Sequence, residues 1–341
     1  MTEAKEVKEE VSTVDLSIVI VSYNTAKLLR ACLQSVYPNL HPHYRLEIIV
    51  VDNASSDDSV AVVRREFPQV QLIVNSQNHG FATANNQALK VAKGNFIVLL
   101  NPDTQVVGDA LWQMMNFLEA ETNAAAVGPA LLYPDGSFQE SAFHFPSLSQ
   151  IFLEFFPLNW RLQRSRWNGR YPRHLYEGDY SPPFEIDFPL GSCLMLPRDL
   201  LERVGLLDEN FFMYMEEIDW CYRLKTLEMP PGYLSPNVQF RPGRRKSHHW
   251  QVYCLPQAKI IHHSGASSRQ FRDEMFYQLY RSRAYFYRKH YSSSFQLAAR
   301  LLTRLGIVGL TLQLFFNRLF GRVNAAEFQA RRRAYGRVWE L

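Results

Sequence analysis

Short polar groups follow apolar runs at four places: Ser22-Tyr23-Asn24, Asp52-Asn53, Asn78-His79-Gly80 and Asn101-Pro102-Asp103. The last of these follows five consecutive apolar residues, 96–100. Pro102 cannot donate to a sheet ladder, so a strand there must stop. A carboxylate just past the carboxyl end of a buried strand suits ligand or cation binding, because open α/β sheets bind ligands on that rim. Asp103 equally suits the N-cap of a helix expected over 109–121. A second group sets Asp208, Glu209, Glu216, Glu217 and Asp219 among Phe, Met and Tyr. Apolar company raises a carboxylate's pKa and makes it a better base. The same acids at a helix start would instead favour the helix dipole. His262-His263 closes a further apolar run and offers an imidazole to a cation, although a lone histidine there is as readily structural.

The elements that must position these groups are legible as periodicity. Apolar runs over 16–21, 46–51, 70–74 and 96–100 alternate with helical spacing over 26–36, 59–67 and 83–92. Strand and helix in alternation predict an α/β fold with a mainly parallel sheet. Its strand ends share one rim, so the four polar groups converge there. The loop after the first strand, Ser22 to Lys27, has no glycine, so neither a dinucleotide fingerprint nor a phosphate-cradling loop is present. Phosphates would then need a carboxylate-held divalent cation.

The totals exclude other classes. At 47% hydrophobic and 21% charged, the 341 residues describe a globular chain with a large core. A net charge of +4 is too mild to argue for nucleic acid. Four scattered cysteines without a Cys-x-x-Cys pair suit a reducing compartment. The first fifteen residues lack the apolar core of a secretory signal, and no apolar run reaches the length of a spanning helix.

Four stretches, SIVIVSYN (17–24), VDNASSD (51–57), NHGFATANN (78–86) and LLNPDT (99–104), resemble glycosyltransferase family 2, and within it the bacterial rhamnosyltransferase-like branch that builds surface polysaccharides. The similarity extends from about Leu16 to His290. It implies a GT-A fold and a nucleotide-diphosphate sugar donor. It sets Ser22, Tyr23 and Asn24 along the nucleoside, gives Asp52 the imide N–H of a uracil or thymine, and lines the same pocket with Asn78, Phe81 and Asn86. Asn101-Pro102-Asp103 takes the place of the family's Asp-x-Asp, leaving Asp103 as the main anionic ligand of Mg²⁺ or Mn²⁺. Asn101 still offers an oxygen but brings no charge. Glu217 falls where the family has its catalytic base, with Glu216 as the alternate. His262, or else His263, matches a metal-ligating histidine. Gly191, Ser192 and Trp220 are candidates for the acceptor side.

The divisions expected are a flexible 1–15, a donor-binding 16–134, an acceptor-binding and catalytic 135–291, and a helical tail, 292–341. The stretch 229–250 reads as a long basic loop, and Asp219 with Arg223 as a structural pair one helical turn apart. In the tail an apolar centre, 305–316, lies between Arg304 and Arg318. That pattern suits a helix lying in an anionic membrane interface, or one packed on the catalytic domain or a second subunit. The expectation is therefore an enzyme on the inner face of the cell membrane that uses a polyprenyl-diphosphate-linked saccharide. A nucleotidyltransferase would need a basic glycine-rich loop that is missing. A non-catalytic nucleotide-sugar-binding module would have no use for Glu217.

Overall fold

The computed structural model describes residues 14–37, 44–178, 181–230, 249–264 and 271–341. The expected flexible start, most of the basic loop and the residues just after Ser264 lie outside them.

The first half alternates as expected: β1 (Val14–Ser22), α1 (Ala26–Val36), β2 (Leu46–Asp52), α2 (Ser59–Glu66), β3 (Gln71–Val74), α3 (Phe81–Leu89), β4 (Gly94–Leu100). β3, β2, β1 and β4 pair in parallel in that order. The register sets Ser22 beside Asp52, aligning the strand ends on one rim. β1 and β4 are apolar on both faces because helices cover both faces of the sheet. One core lies between the sheet and α1, α2 and α4 (Ala110–Ala120), with Leu29, Leu33, Val62 and Met115 fully buried.

Asp103 does not cap a helix. It is followed at once by β5 (Thr104–Val106), and α4 starts seven residues later behind Asp109. The sheet continues through β6 (Ala124–Leu132), which turns back at Tyr133–Ser137 into β7 (Phe138–Gln139), as the Pro-Asp-Gly sequence predicts. β8 (Ala142–Phe143), α5 (Leu148–Phe155) and α6 (Trp160–Gln163) follow, then β9 (Phe184–Ile186). The apolar run 188–196, expected as one strand, breaks into β10 (Phe188–Pro189) and β11 (Cys193–Pro197). Leu190-Gly191-Ser192 loops between them, with Leu190 N–H on Ser141 O at 2.7 Å. β11 is antiparallel to β4, pairing Cys193 with Leu100, so this loop lies beside Asn101 and the Asn101 N–H donates to Ser192 O at 2.9 Å.

α7 (Arg198–Val204) and α8 (Glu216–Thr226) cover the second face, with Phe211, Trp220 and Leu224 in its core. β12 (Gln251–His262) runs through the apolar stretches 252–255 and 258–261 as one strand, with a register shift between Leu255 and Lys259. It ends on β5, pairing His262 with Thr104. α9 (Arg272–His290), α10 (Ser293–Leu319) and α11 (Ala325–Trp339) close the chain. α10 is longer than its apolar centre suggested. By length and composition it could cross a membrane, yet one side of it packs on α5, α9 and α11. Gly306 allows the closest approach, since a Cβ there would come 2.1 Å from the Phe155 ring.

Candidate active site

The rim and the start of α8 enclose a cleft of about 370 Å³. Tyr23, Asn78, Phe81, Asn101, Asp103, Gly191, Ser192, Glu216, Glu217 and His262 all line it. Asn53, at the rim as expected, also lines it, as do Val21, Phe212, Met213, Tyr214 and Met275, which were not singled out by sequence.

On the β1–β2 side, Tyr23 faces Phe271 with ring centroids 6.1 Å apart, a slot of aromatic walls. Asp52 is buried. Its Oδ2 accepts the Ser55 N–H at 2.9 Å, and its Oδ1 has no partner among the described residues. Asp52 is not itself in the cleft lining, and a buried carboxylate oxygen without a protein donor calls for a water or a ligand. Asn53 organises the loop before α3. Its amide donates to Asn78 Oδ1 at 2.8 Å and Gly80 O at 3.2 Å, and its oxygen accepts from the His79 N–H. Gly80 has φ +84°, and a Cβ there would fall 2.5 Å from Phe212 O, so the α3 start is seated directly on the loop before α8.

Three residues expected in the nucleoside pocket hold the frame instead. Ser22 is fully buried on Thr25 at 2.9 Å. Asn24 turns the chain at φ 52° and accepts the Ser56 N–H at 2.7 Å. Asn86 donates to Leu207 O and accepts the Leu207 N–H, pinning the segment that leads to α8. Trp220, expected toward the acceptor, is in the core with its indole N–H on Gly205 O at 2.9 Å.

Across the rim, Asp103 Oδ1 and His262 Nε2 are 3.5 Å apart, with each side chain only 8% exposed. His262 Nδ1 meets Gln139 Oε1 at 3.3 Å, and an amide oxygen can only accept. Nδ1 therefore donates to Gln139, and Nε2, facing the Asp103 carboxylate, either carries a second proton or turns its lone pair to a cation. Two acceptors aimed at each other require a proton or a cation between them. A carboxylate and an imidazole, completed by substrate phosphates, fit the sparse protein ligation typical of Mg²⁺ and Mn²⁺. His263, just past β12, donates its backbone N–H to Asp103 O at 2.9 Å but does not line the cleft, so His262 is the histidine whose ring faces Asp103.

Glu216 and Glu217 open α8, behind Tyr214 at φ 68° and Met215 at φ 76°. Two successive left-handed residues without glycine are strained, and they aim the helix start into the cleft. Burial pushes the Glu217 carboxyl up to about 6, against hydrogen bonds that include the Gly191 N–H. Burial and then the Glu217 charge raise Glu216 well above the glutamate range. Burial thus favours the neutral form of both carboxyls, and a charge on Glu217 disfavours a second one on Glu216. Each has an Oε2 without a partner among the described residues. Asp219, one turn on, is bonded to Arg223 at 2.8 Å as expected, and also to Lys289 at 2.8 Å and His290 at 2.7 Å, which fastens α8 to α9.

The model of the family described as "Glycosyl transferase family 2" matches residues 17–205, more than half of the chain. The chain belongs to glycosyltransferase family 2. It is a glycosyltransferase with a GT-A fold and a C-terminal helical extension. The glycosyltransferase is 26% identical over 269 residues to the N-acetylglucosaminyl-diphospho-decaprenol L-rhamnosyltransferase of Mycobacterium tuberculosis, covering 74% of this chain and 77% of the relative. It is 31% identical over 107 residues to the Escherichia coli UDP-Glc:alpha-D-GlcNAc-diphosphoundecaprenol beta-1,3-glucosyltransferase WfaP, covering 31% of this chain and 42% of the other. Among solved structures it resembles a mannosyltransferase from Pyrobaculum calidifontis in complex with GDP-Man and Mn²⁺, with TM-score 0.52, 17% identity and coverage of 92% and 78%.

Proposed function

We propose that this glycosyltransferase is a metal-dependent, inverting enzyme that moves a hexose from a nucleotide diphosphate to a polyprenyl-diphosphate-linked saccharide in cell-surface polysaccharide synthesis. The leading donor is dTDP-L-rhamnose, and UDP-sugars are the second choice. The observation that carries this reading is that Glu217 and the Asp103–His262 pair line one cleft, so a base and a diphosphate site share it.

The Asp52 Oδ1, without a donor among the described residues, would take the imide N–H of a thymine or uracil, with Tyr23 and Phe271 about the ring. Asp103 and His262 would hold Mg²⁺ or Mn²⁺, which when bound supplies Lewis-acid stabilisation of the departing diphosphate. Glu217 accepts the proton of the acceptor hydroxyl as that oxygen attacks the anomeric carbon. A single displacement inverts that carbon. Gly191 N–H orients the Glu217 carboxylate, and neutral Glu216 beside it avoids a second charge. Phe81, Phe212 and Met213 give the cleft apolar walls that suit the methyl group of a 6-deoxy sugar. A relative named for a decaprenol-linked substrate supports the lipid acceptor, and such an acceptor would call for a peripheral position on the inner membrane face. Four free cysteines agree with a reducing compartment there.

The test incubates the full chain with a GlcNAc-diphospho-polyprenol analogue, Mn²⁺ or Mg²⁺, and dTDP-rhamnose or a panel of UDP-sugars, and measures nucleotide release. Acceptor-dependent release of dTDP that stops with EDTA is expected. Preferential UDP release would favour the second donor class. No release from any donor, with nucleotide binding intact, would reduce the chain to a binding module.

A further inference from the structure

A second concavity lies away from the cleft, where α5, α9, α10 and α11 meet. Its walls include Ile151, Ala299 and Val338, and four arginines: Arg283, Arg288, Arg300 and Arg304. Arg283 is paired with Glu154 at 2.6 Å, and that carboxylate also accepts the Tyr280 hydroxyl. Arg304 lies over the Trp339 ring and donates to its carbonyl. Arg288 and Arg300 are exposed and form no ion pair with any described residue. The groove thus gathers four cations, only Arg283 of them paired with an acid among the described residues, the exposed Glu154, and that surplus suits a phosphate.

The helix beside it is unusual in a second way. α10 has no Asp or Glu in 27 residues. Leu297, Leu301, Leu305, Leu312, Phe316 and Leu319 are each at least 53% exposed, at helical spacing along one face. That stripe is about 33 Å long at 1.5 Å per residue. Arg300 and Arg304 each precede a stripe leucine, so the groove opens along the stripe's edge. An apolar face of this extent marks an interaction surface. A second copy docked about a two-fold axis would bring like-charged grooves together. Crossing the bilayer would carry α5, α9 and α11 into hydrocarbon with it. A leaflet of anionic lipid satisfies both features, with acyl chains against the stripe and headgroup phosphates at the arginines.

We propose that the groove between α5, α9, α10 and α11 binds the phosphate of an anionic phospholipid headgroup while the α10 stripe lies in the acyl boundary of the same leaflet. The proposal deepens the membrane-face reading and is independent of donor, metal and base. α9 carries Met275 in the cleft wall and Arg288 in the groove, so a docked headgroup fixes the cleft's height above the leaflet.

The test is co-sedimentation of the full chain with phosphatidylglycerol-containing or pure phosphatidylcholine vesicles at 0.15 M salt. Binding to the anionic vesicles alone is expected. Each surface basic residue is worth about fivefold, so Arg288→Gln with Arg300→Gln should weaken binding about 30-fold. Arg288→Lys with Arg300→Lys should stay within about threefold of wild type, since charge is kept. Arg64→Gln with Lys90→Gln removes the same charge from the donor half and should change little. Leu301→Gln with Leu312→Gln should abolish binding. Glu217→Gln should bind vesicles as wild type does, which separates this proposal from the reaction. Equal binding to both vesicles, an equal loss in the donor-half control, wild-type binding by the groove or stripe glutamine pair, or a dimer without vesicle affinity would each overturn it.

Discussion

Glu217→Gln keeps the shape of the side chain and removes its ability to take a proton. In the wild-type cleft the carboxyl titrates at about 6 because burial penalises its charge. It is then about 9% ionised at pH 5 and about 91% at pH 7, so kcat/KM should rise about tenfold between them and level off above. A positioned base contributes about 10²–10⁴-fold, or about 3–5 kcal/mol of barrier. The glutamine variant should lose that much kcat and also lose the acidic limb of the profile. Its nucleotide affinity should stay within about twofold, because the group acts on the acceptor. Glu217→Asp withdraws the carboxylate by about 1.5 Å, and a misplacement near 1 Å can cost about 10². The assay is nucleotide release at saturating donor and Mn²⁺ from pH 4.5 to 8, with isothermal titration of the nucleotide. A glutamine variant that keeps a tenth of the activity, or that keeps the limb, would refute the assignment of the base. The same shift has a sign in stability. Between the ordinary glutamate value of 4.5 and about 6 the folded chain holds a proton that the unfolded chain has released, so the carboxyl's contribution falls as pH rises through that window.

Gly191→Ala would place a Cβ 2.8 Å from Glu217 Oε1, so kcat should fall at least about tenfold with nucleotide affinity unchanged, as steady-state kinetics beside calorimetry would show. Asp103→Asn removes the charge facing His262 and should raise the Mn²⁺ concentration for half-maximal rate about 100-fold, measured by metal titration. An unchanged metal requirement would remove Asp103 from the ligand set. Trp220→Ala opens the core behind α8 and should cost about 3–5 kcal/mol in urea unfolding, whereas an acceptor-contacting tryptophan would affect KM alone.

Strand ends were legible because apolar runs and turn residues are local signals, and the parallel pattern puts all such ends on one rim. Directions of side chains were not. Ser22, Asn24 and Asn86 are polar residues at rim positions, and sequence alone does not separate a residue that faces ligand from one that bonds the next loop. Asn53 is at the rim as its sequence position implies, but its role as a loop clamp, an amide that donates and accepts, depends on partners distant in sequence. His262 could have been separated from His263 by the two-residue period of a strand. The break between β10 and β11 sits inside a mainly apolar run, and its signal is Pro189 followed by Gly191-Ser192. Phe212 to Tyr214 carry no motif, because their place depends on a long-range seat against Gly80.

Asn101 has a consequence for the order in which the cleft fills. Under the proposed roles the protein offers a divalent ion one formal negative charge, from Asp103, with His262 neutral and Asn101 an amide. Most of the neutralisation must come from the diphosphate. Ion and nucleotide are then thermodynamically linked: each should bind weakly alone and tightly together, and the factor by which Mn²⁺ improves the nucleotide must equal the factor by which the nucleotide improves Mn²⁺. Asn101→Asp would loosen that mutual dependence by letting the ion settle before its substrate.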